Sequence, residues 1–260
     1  FESATSQYVS IAYDANAQKV VIAYMDGGNS NYGTAIVGTV SGTSISFGTP
    51  AVFKSAYSLY ITIAYDANAQ KVVIAWRDAT NDDGTAIVGQ TSGTSISFGT
   101  AAVYDSGNCN YNAAVYDANA QKVVIAYSDV TNSDKGEAVV ATVSGTSISF
   151  GTPVLFEDAA ISAISVVYDP DAQKVVIAYQ DQGNSNYGTA IVGTVSGTSI
   201  SFGTAVVFEG AATVSATSAA YDTTNDRVVI AYRDGNKGSA ILGTVSGTSI
   251  SFGTSVEIES

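Results

Sequence analysis

An all-β fold made of five repeated four-stranded units is what this sequence predicts, on three observations. The segment Ser-Gly-Thr-Ser-Ile-Ser-Phe-Gly-Thr recurs unchanged five times, beginning at Ser41, Ser92, Ser144, Ser196 and Ser246, a period of 50 to 52 residues. A second marker, Val-Val-Ile-Ala followed by Tyr or Trp, recurs at 20–24, 72–76, 123–127, 175–179 and 228–232, and a Tyr-Asp pair precedes it at Tyr13, Tyr65, Tyr116, Tyr168 and Tyr221. No segment shows apolar residues at helical spacing; the runs between turn signals are short and rich in Val, Ile, Thr, Ser and Tyr.

In the first copy these runs predict strand a over Tyr8–Tyr13, b over Lys19–Asp26, c over Gly33–Val40 and d over Ser44–Phe53. The a–b link, Asp14-Ala-Asn-Ala-Gln, and the c–d link around Gly42 read as tight hairpins. Strand b is apolar on both faces, as a strand packed between neighbouring units must be. Strand d alternates Ser44, Ile45, Ser46, Phe47, which suits a solvent-facing edge. Strand a carries small residues such as Ser10, Ala12, Thr62 and Ala64, which suits the crowded axis of a ring. Four-stranded meanders at this period are the signature of propeller blades, so the prediction is a five-bladed β-propeller with four antiparallel strands per blade, one domain over residues 1–260. Ile258-Glu259-Ser260 stands at the same repeat phase as Phe1-Glu2-Ser3, and the terminal copies show no polar capping face. Both predict a ring closed by packing the fifth blade on the first.

The composition narrows the function classes. Of 260 residues, 46% are hydrophobic and 13% charged, which places the chain among globular proteins. Ten basic against 23 acidic residues give a formal charge of −13, which repels phosphate backbones and anionic lipid at long range. Neither nucleic acid nor membrane insertion is expected. Phe1-Glu2-Ser3 is neither an initiator Met nor a secretion signal, so a mature or excised form is expected. The lone Cys109 forms no internal disulfide and reads as a small side chain near a strand start.

No histidine is present, which removes Ser-His-Asp and Cys-His machinery and His-containing zinc sites. Glycoside hydrolysis would need two carboxylates near the axis, but the strand-a starts hold Gln7-Tyr8, Leu59-Tyr60, Asn110-Tyr111, Ser162-Ala163 and Ser215-Ala216. The expectation is therefore a protein that is not an enzyme. A three-arginine sialidase cluster would use all of Arg77, Arg227 and Arg233, and Arg227 lies in an a–b link on the opposite face.

The copies differ in two places only, the d–a connections and the b–c loops, which emerge on one face of the disc. Loops on a rigid scaffold are where binding residues concentrate, so this face is the candidate functional surface. Two sets of residues stand out there. Asp26, Asp78, Asp129, Asp181 and Asp234 each end a strand b; they are either sugar-hydroxyl acceptors and oxygen ligands for calcium, or acceptors for the amides of the following loop. Tyr8, Tyr60 and Tyr111 share one repeat position near the start of strand a, either as an aromatic lip over the central depression or as packing between blades. Trp76 takes a slot that is tyrosine in the other copies and reads as inter-blade core. Calcium aside, no cofactor is expected.

The repeats, with Val-Val-Ile-Ala-Tyr and Gly-Thr-Val-Ser-Gly-Thr-Ser-Ile-Ser-Phe-Gly-Thr, resemble tandem arrays in surface and tail-fibre-like proteins of marine phages and bacteria. That resemblance implies an extracellular or virion-surface location. In blade number the chain is similar to tachylectin-type lectins, whose residue motifs it lacks. The expected function is a non-enzymatic, multivalent binding module for glycans or other cell-surface ligands. The alternative is a structural or assembly protein, a segment of a longer array or a filament subunit, with self-association.

Overall fold

The computed structural model describes residues 1–259, in which the regular structure is β-strand apart from two short 3-10 turns. The chain forms three antiparallel sheets. The first contains β1 (Ser6–Asp14), β2 (Lys19–Asp26), β3 (Tyr32–Ser41), β4 (Ser44–Phe47), β5 (Ala51–Asp66), β6 (Lys71–Asp78), β7 (Asp83–Ser92), β8 (Ser95–Phe98) and β9 (Ala102–Asp105). The second contains β10 (Cys109–Asp117), β11 (Lys122–Asp129), β12 (Lys135–Ser144), β13 (Ser147–Phe150), β14 (Val154–Asp169), β15 (Lys174–Asp181), β16 (Tyr187–Ser196), β17 (Ser199–Phe202) and β18 (Val206–Glu209). The third contains β19 (Val214–Asp222), β20 (Arg227–Asp234), β21 (Lys237–Ser246), β22 (Ser249–Phe252) and β23 (Val256–Glu259).

The sheets are larger than one repeat for a specific reason. β5 and β14 each run from the outer edge of one repeat straight into the inner strand of the next, so each hydrogen-bonds to a strand of both repeats and joins them into one sheet. Elsewhere the same crossing is broken, at 106–108 and 210–213. The predicted strand d is also not continuous. Gly48-Thr49-Pro50 leaves the ladder, so the outer edge consists of β4 and the first part of β5, both paired with β3. The reason is close approach: a Cβ on Gly48 would overlap the carbonyl oxygen of Thr94 in the next repeat, and Gly99, Gly151 and Gly203 meet Thr146, Thr198 and Thr248 in the same way.

Turn chemistry fixes the hairpins. Ser41 pairs with Ser44, leaving Gly42-Thr43 as a two-residue turn with Gly42 at φ 59, the position where a hairpin of this kind requires glycine. In the a–b turns Asp14, Asp66 and Asp117 are buried and each accepts the amide three residues on at 2.9 Å.

The core lies between repeats. The small face of the first repeat, Val21, Ala23, Ala35 and Val37, packs on the large face of the second, Val72, Ile74, Trp76 and Ile87; the same pairing recurs between second and third, third and fourth, and fourth and fifth. On the axis, the hydroxyls of Ser10, Thr62 and Ser165 accept the amides of Ile63, Ala114 and Ala219 in the following repeat. At the rim, the Tyr65, Tyr116 and Tyr168 hydroxyls accept the amides of Asn16, Asn68 and Asn119.

The expected closure of fifth repeat on first is not formed. Leu242 is 51% exposed, whereas its counterparts Val37, Val88, Val140 and Val192 are at most 1% exposed. On the other side of the seam Ile45 is 45% exposed and Tyr13 58%, while Ile96, Ile148, Ile200 and Ile250 are buried. The seat on the first repeat is instead taken by the chain's own start. Phe1 packs edge-on against Tyr24 at 5.2 Å and near Phe47 at 6.1 Å, as Phe53 packs on Trp76 at 5.0 Å and Phe98 at 5.9 Å.

Candidate functional site

The d–a connections and b–c loops do meet on one face. Gly27 donates to Thr5 O at 2.8 Å, Ala79 to Tyr57 O at 3.1 Å, Val130 to Asn108 O at 2.9 Å and Gly235 to Thr213 O at 3.0 Å, so four of the five loops are tied to the connection beside them.

Each inner strand carries a bulge just below this face, between Gln7 and Ser10, Leu59 and Thr62, Asn110 and Ala113, Ser162 and Ser165, and Val214 and Thr217. At four of these bulges one non-glycine residue adopts the left-handed conformation: Tyr8 at φ 51, Tyr60 at φ 50, Tyr111 at φ 55 and Ala163 at φ 49. Such backbone costs on the order of 1–3 kcal/mol per residue and persists only where the surroundings impose it. Here it swings three tyrosines into one row. The Tyr8 and Tyr60 rings lie 5.1 Å apart, tilted by 53°, and Tyr60 and Tyr111 lie 5.2 Å apart, tilted by 50°. Partial burial, and secondarily neighbouring tyrosines, hold the Tyr8 and Tyr60 hydroxyls above the ordinary tyrosine range, so both stay protonated donors.

Where the row ends, Ala163 and Ala216 replace tyrosine and leave room. A cavity of about 280 Å³ opens there, lined by Tyr111, Asn112, Ser162, Ala163, Ser215 and Ala216 among others. Below it a cavity of about 540 Å³ follows the axis and is lined by the inner strands of all five repeats. Neither lining contains a carboxylate or a basic group. The Asn112 carboxamide oxygen accepts from the Tyr104 hydroxyl at 3.0 Å, and its Nδ2 has no partner among the described residues.

Four of the five aspartates that end the b strands accept amides of their own loops. Asp26 accepts the Gly28 and Asn29 amides at 2.9 and 3.1 Å, Asp78 the Thr80 amide at 3.0 Å, Asp129 the Thr131 amide at 2.9 Å and Asp181 the Asn184 amide at 3.1 Å. Asp78 also pairs with Lys54. Asp234 pairs in register with Lys237 across a shorter loop. Asp129, Asp105 and Glu137 form one acidic cluster, in which Asp105 and Glu137 accept from the Tyr127 hydroxyl and Asp129 from Thr131. Beneath it Cys109 is fully buried, and burial pushes its thiol well above the ordinary range.

The sequence raised Arg77 only as one of the three arginines of a sialidase cluster, not as a neighbour of the tyrosines. It donates to Asn110 at 3.0 Å and to Asp82, standing beside the tyrosine row. A second pairing links neighbouring repeats. Tyr24, Tyr127, Tyr179 and Tyr232 each donate to an acid on the incoming connection, Glu2, Asp105, Glu157 and Glu209. In the second repeat both members change together, to Trp76 and Lys54. Aligning the repeats on these two columns would have exposed it.

No protein-family model matches the sequence, and no curated protein matches it in sequence. Solved structures do match in shape. A protein of unknown function from Dyadobacter fermentans superposes with a TM-score of 0.63 at 14% identity, over 93% of this chain and 79% of that one. The SapL1 lectin in complex with α-methyl fucoside gives 0.57 at 11% identity, over 95% of this chain and 79% of that one. An exo-β-1,3-galactanase from Phanerochaete chrysosporium gives 0.56 at 9% identity, over 95% of this chain and 57% of that one. The fold is propeller-like. Lectins and glycosidases alike share it, and these identities carry the fold alone. Among the described residues no helix is long and apolar enough to cross a membrane.

Proposed function

We propose that the chain is a five-bladed propeller, each blade four strands with a broken outer edge, and that it binds carbohydrate without turnover at the axial mouth of its loop face. The observation that carries this reading is the tyrosine row, Tyr8, Tyr60 and Tyr111 at 5.1 and 5.2 Å spacing, beside a cavity the size of a small ligand. Sugar rings bury their apolar C–H faces on aromatics while hydroxyls seek fixed polar groups, and Asn112, Ser162 and Ser215 stand within the same lining. The row gathers three repeats into one composite site rather than five equal ones. Asp26, Asp78, Asp129, Asp181 and Asp234 act in it by shaping the loops, with calcium as a ligand of this rim to be tested. A lining without carboxylates supports binding over glycoside hydrolysis. An extracellular or virion-surface setting, where glycans are met, belongs to the same reading.

The test is a glycan array with and without calcium, followed by Tyr8→Ala, Tyr60→Ala and Tyr111→Ala together. Binding of the best glycan should fall by about a hundredfold or more, since each aromatic contact is worth roughly 1 kcal/mol, while circular dichroism stays unchanged. A folded triple variant that binds like the parent places the site elsewhere. The assembly reading has its own observation, the unpacked face of the fifth repeat.

A further inference from the structure

We infer that the gap at the end of the tyrosine row takes one uncharged sugar residue at the free end of a glycan, with Ala163 and Asn112 setting this specificity. The inference rests on the carbohydrate reading and deepens it.

The five inner strands offer five equivalent positions around the axial mouth, Tyr8, Tyr60, Tyr111, Ala163 and Ala216. Ala163 keeps the left-handed backbone of the three tyrosines, φ 49 against 51, 50 and 55, without their ring. The strain is the same and the side chain it aims is gone, so what this bulge contributes is space. A tyrosine there would continue the row and fill the cavity. At about 280 Å³ that cavity stands at the lower end of small-molecule pockets, which run from roughly 300 to 1,000 Å³. It is sized for one ring rather than for a chain.

Asn112 supplies the directed polar contact. The residues that follow the five mouth positions are Val9, Ile61, Asn112, Ile164 and Thr217, and the two polar members of this column both line the cavity. The Thr217 hydroxyl donates to the Ala163 carbonyl, whereas the Asn112 Nδ2 is buried with no partner among the described residues. Tyr104 holds the carboxamide in this orientation by donating to its oxygen, and Tyr104 stands where the other connections carry Phe53, Phe156 and Phe208. Tyrosine and asparagine thus replace Phe and Ile together. A buried donor left unpaired is costly, and a sugar hydroxyl or ring oxygen in the cavity would accept from it.

Charge and enclosure narrow the occupant. The lining holds no ionic side chain, and the arginines of this face are engaged, Arg77 with Asp82 and Asn110 and Arg233 with Asn236. A carboxylated or sulfated sugar would lose its hydration there with no cation in exchange. The inner strands of the third, fourth and fifth repeats wall the cavity. A chain tip can enter such a space, but a residue in mid-chain would have to bring both neighbours through one mouth. From the tip, the following residues have Tyr111, Tyr60 and Tyr8 to lie on.

Saturation-transfer NMR on the whole chain reads the cavity with single sugars: the methyl glycosides of glucose, galactose, mannose and fucose, and the methyl glycosides of glucuronic and galacturonic acid. At least one neutral glycoside should bind, and the uronic acids should bind about tenfold more weakly or not at all. Ala163→Tyr should abolish that binding with circular dichroism unchanged; along an open aromatic track a fourth ring would strengthen it instead. Tyr104→Phe with Asn112→Ile reproduces the pair of the second and fourth repeats, so it should fold, and it should weaken binding by about tenfold. On a glycan array the selected sugar should be bound at chain ends and not where it occurs only internally. Binding that survives both the Ala163→Tyr and the Tyr104→Phe, Asn112→Ile variants, equal binding of the uronic acids, or equal binding of internal residues overturns the inference. If no single sugar binds while array binding is lost in the triple tyrosine variant, the inference falls and the carbohydrate reading stands; if no glycan binds in either format, both fall.

Discussion

Tyr127 and Tyr179 are completely buried between repeats and Tyr24 beneath Phe1, each donating to a carboxylate. Burial first, and the adjacent carboxylate second, pushes all three hydroxyls far above the ordinary value of 10.0. The native state therefore keeps protons that the unfolded chain releases as pH rises past 10.0. An unfolded state that binds fewer protons gains on the native one, so the stability these groups contribute is whole below pH 10.0 and drains away above it. In a spectrophotometric titration, part of the 16 tyrosines should ionise only in one cooperative step that coincides with loss of near-ultraviolet dichroism. Smooth ionisation of all of them in a protein with native dichroism would contradict the buried hydrogen bonds. The left-handed tyrosines at the axial mouth are the opposite case. Nothing in the residue type signals φ near +50 for tyrosine, so the repeat column marked Tyr8, Tyr60 and Tyr111 as candidates but not the bulge that lines them up.

Among elements, strands a, b and c and both hairpins were legible because period-2 alternation, Asp caps and glycine turns all agree at those places. The outer edge was misread as one strand because Gly48-Thr49-Pro50 sits between two stretches that both alternate; the break is dictated by Thr94 of the next repeat, which no local pattern reports. The connection that follows carries the correlated pair Lys54 and Trp76. Lys54 pairs with the buried Asp78, and Trp76 offers no hydroxyl. Lys54→Glu should thus put an acid beside the buried Asp78 in place of its cation and destabilise by about 2 kcal/mol. Adding Trp76→Tyr, which restores the arrangement of the other repeats, should recover most of that loss. Denaturant unfolding of the two single variants and the double variant measures the coupling, and strictly additive effects would show that the two positions are independent.

For the whole molecule, the expectation of a closed ring rested on Ile258-Glu259-Ser260 and Phe1-Glu2-Ser3 sharing a phase. That same equivalence makes the two ends rivals for one seat, and the structure gives it to Phe1. An open array has nearest-neighbour energetics, so removing its last member exposes a face like the one already exposed and leaves three joints intact. A chain ending at Glu209 should fold, keep its dichroism per residue and melt a few degrees lower; collapse to an unfolded chain would instead reveal long-range closure. The tyrosine row, formed by the first three repeats, should survive in it.

Cys109 gives this architecture a clock. It is the only thiol in the chain, wholly enclosed beneath the third loop cluster, with Sγ 3.4 Å from the Gly107 carbonyl. A thiol reagent therefore reacts only in moments when that joint opens, and the labelling rate reads the free energy of local opening at one known place. In the parent the rate should track the stability of the second and third repeats and ignore substitutions at the seam. Labelling that accelerates with Leu242→Gln would mean that distant repeats breathe together.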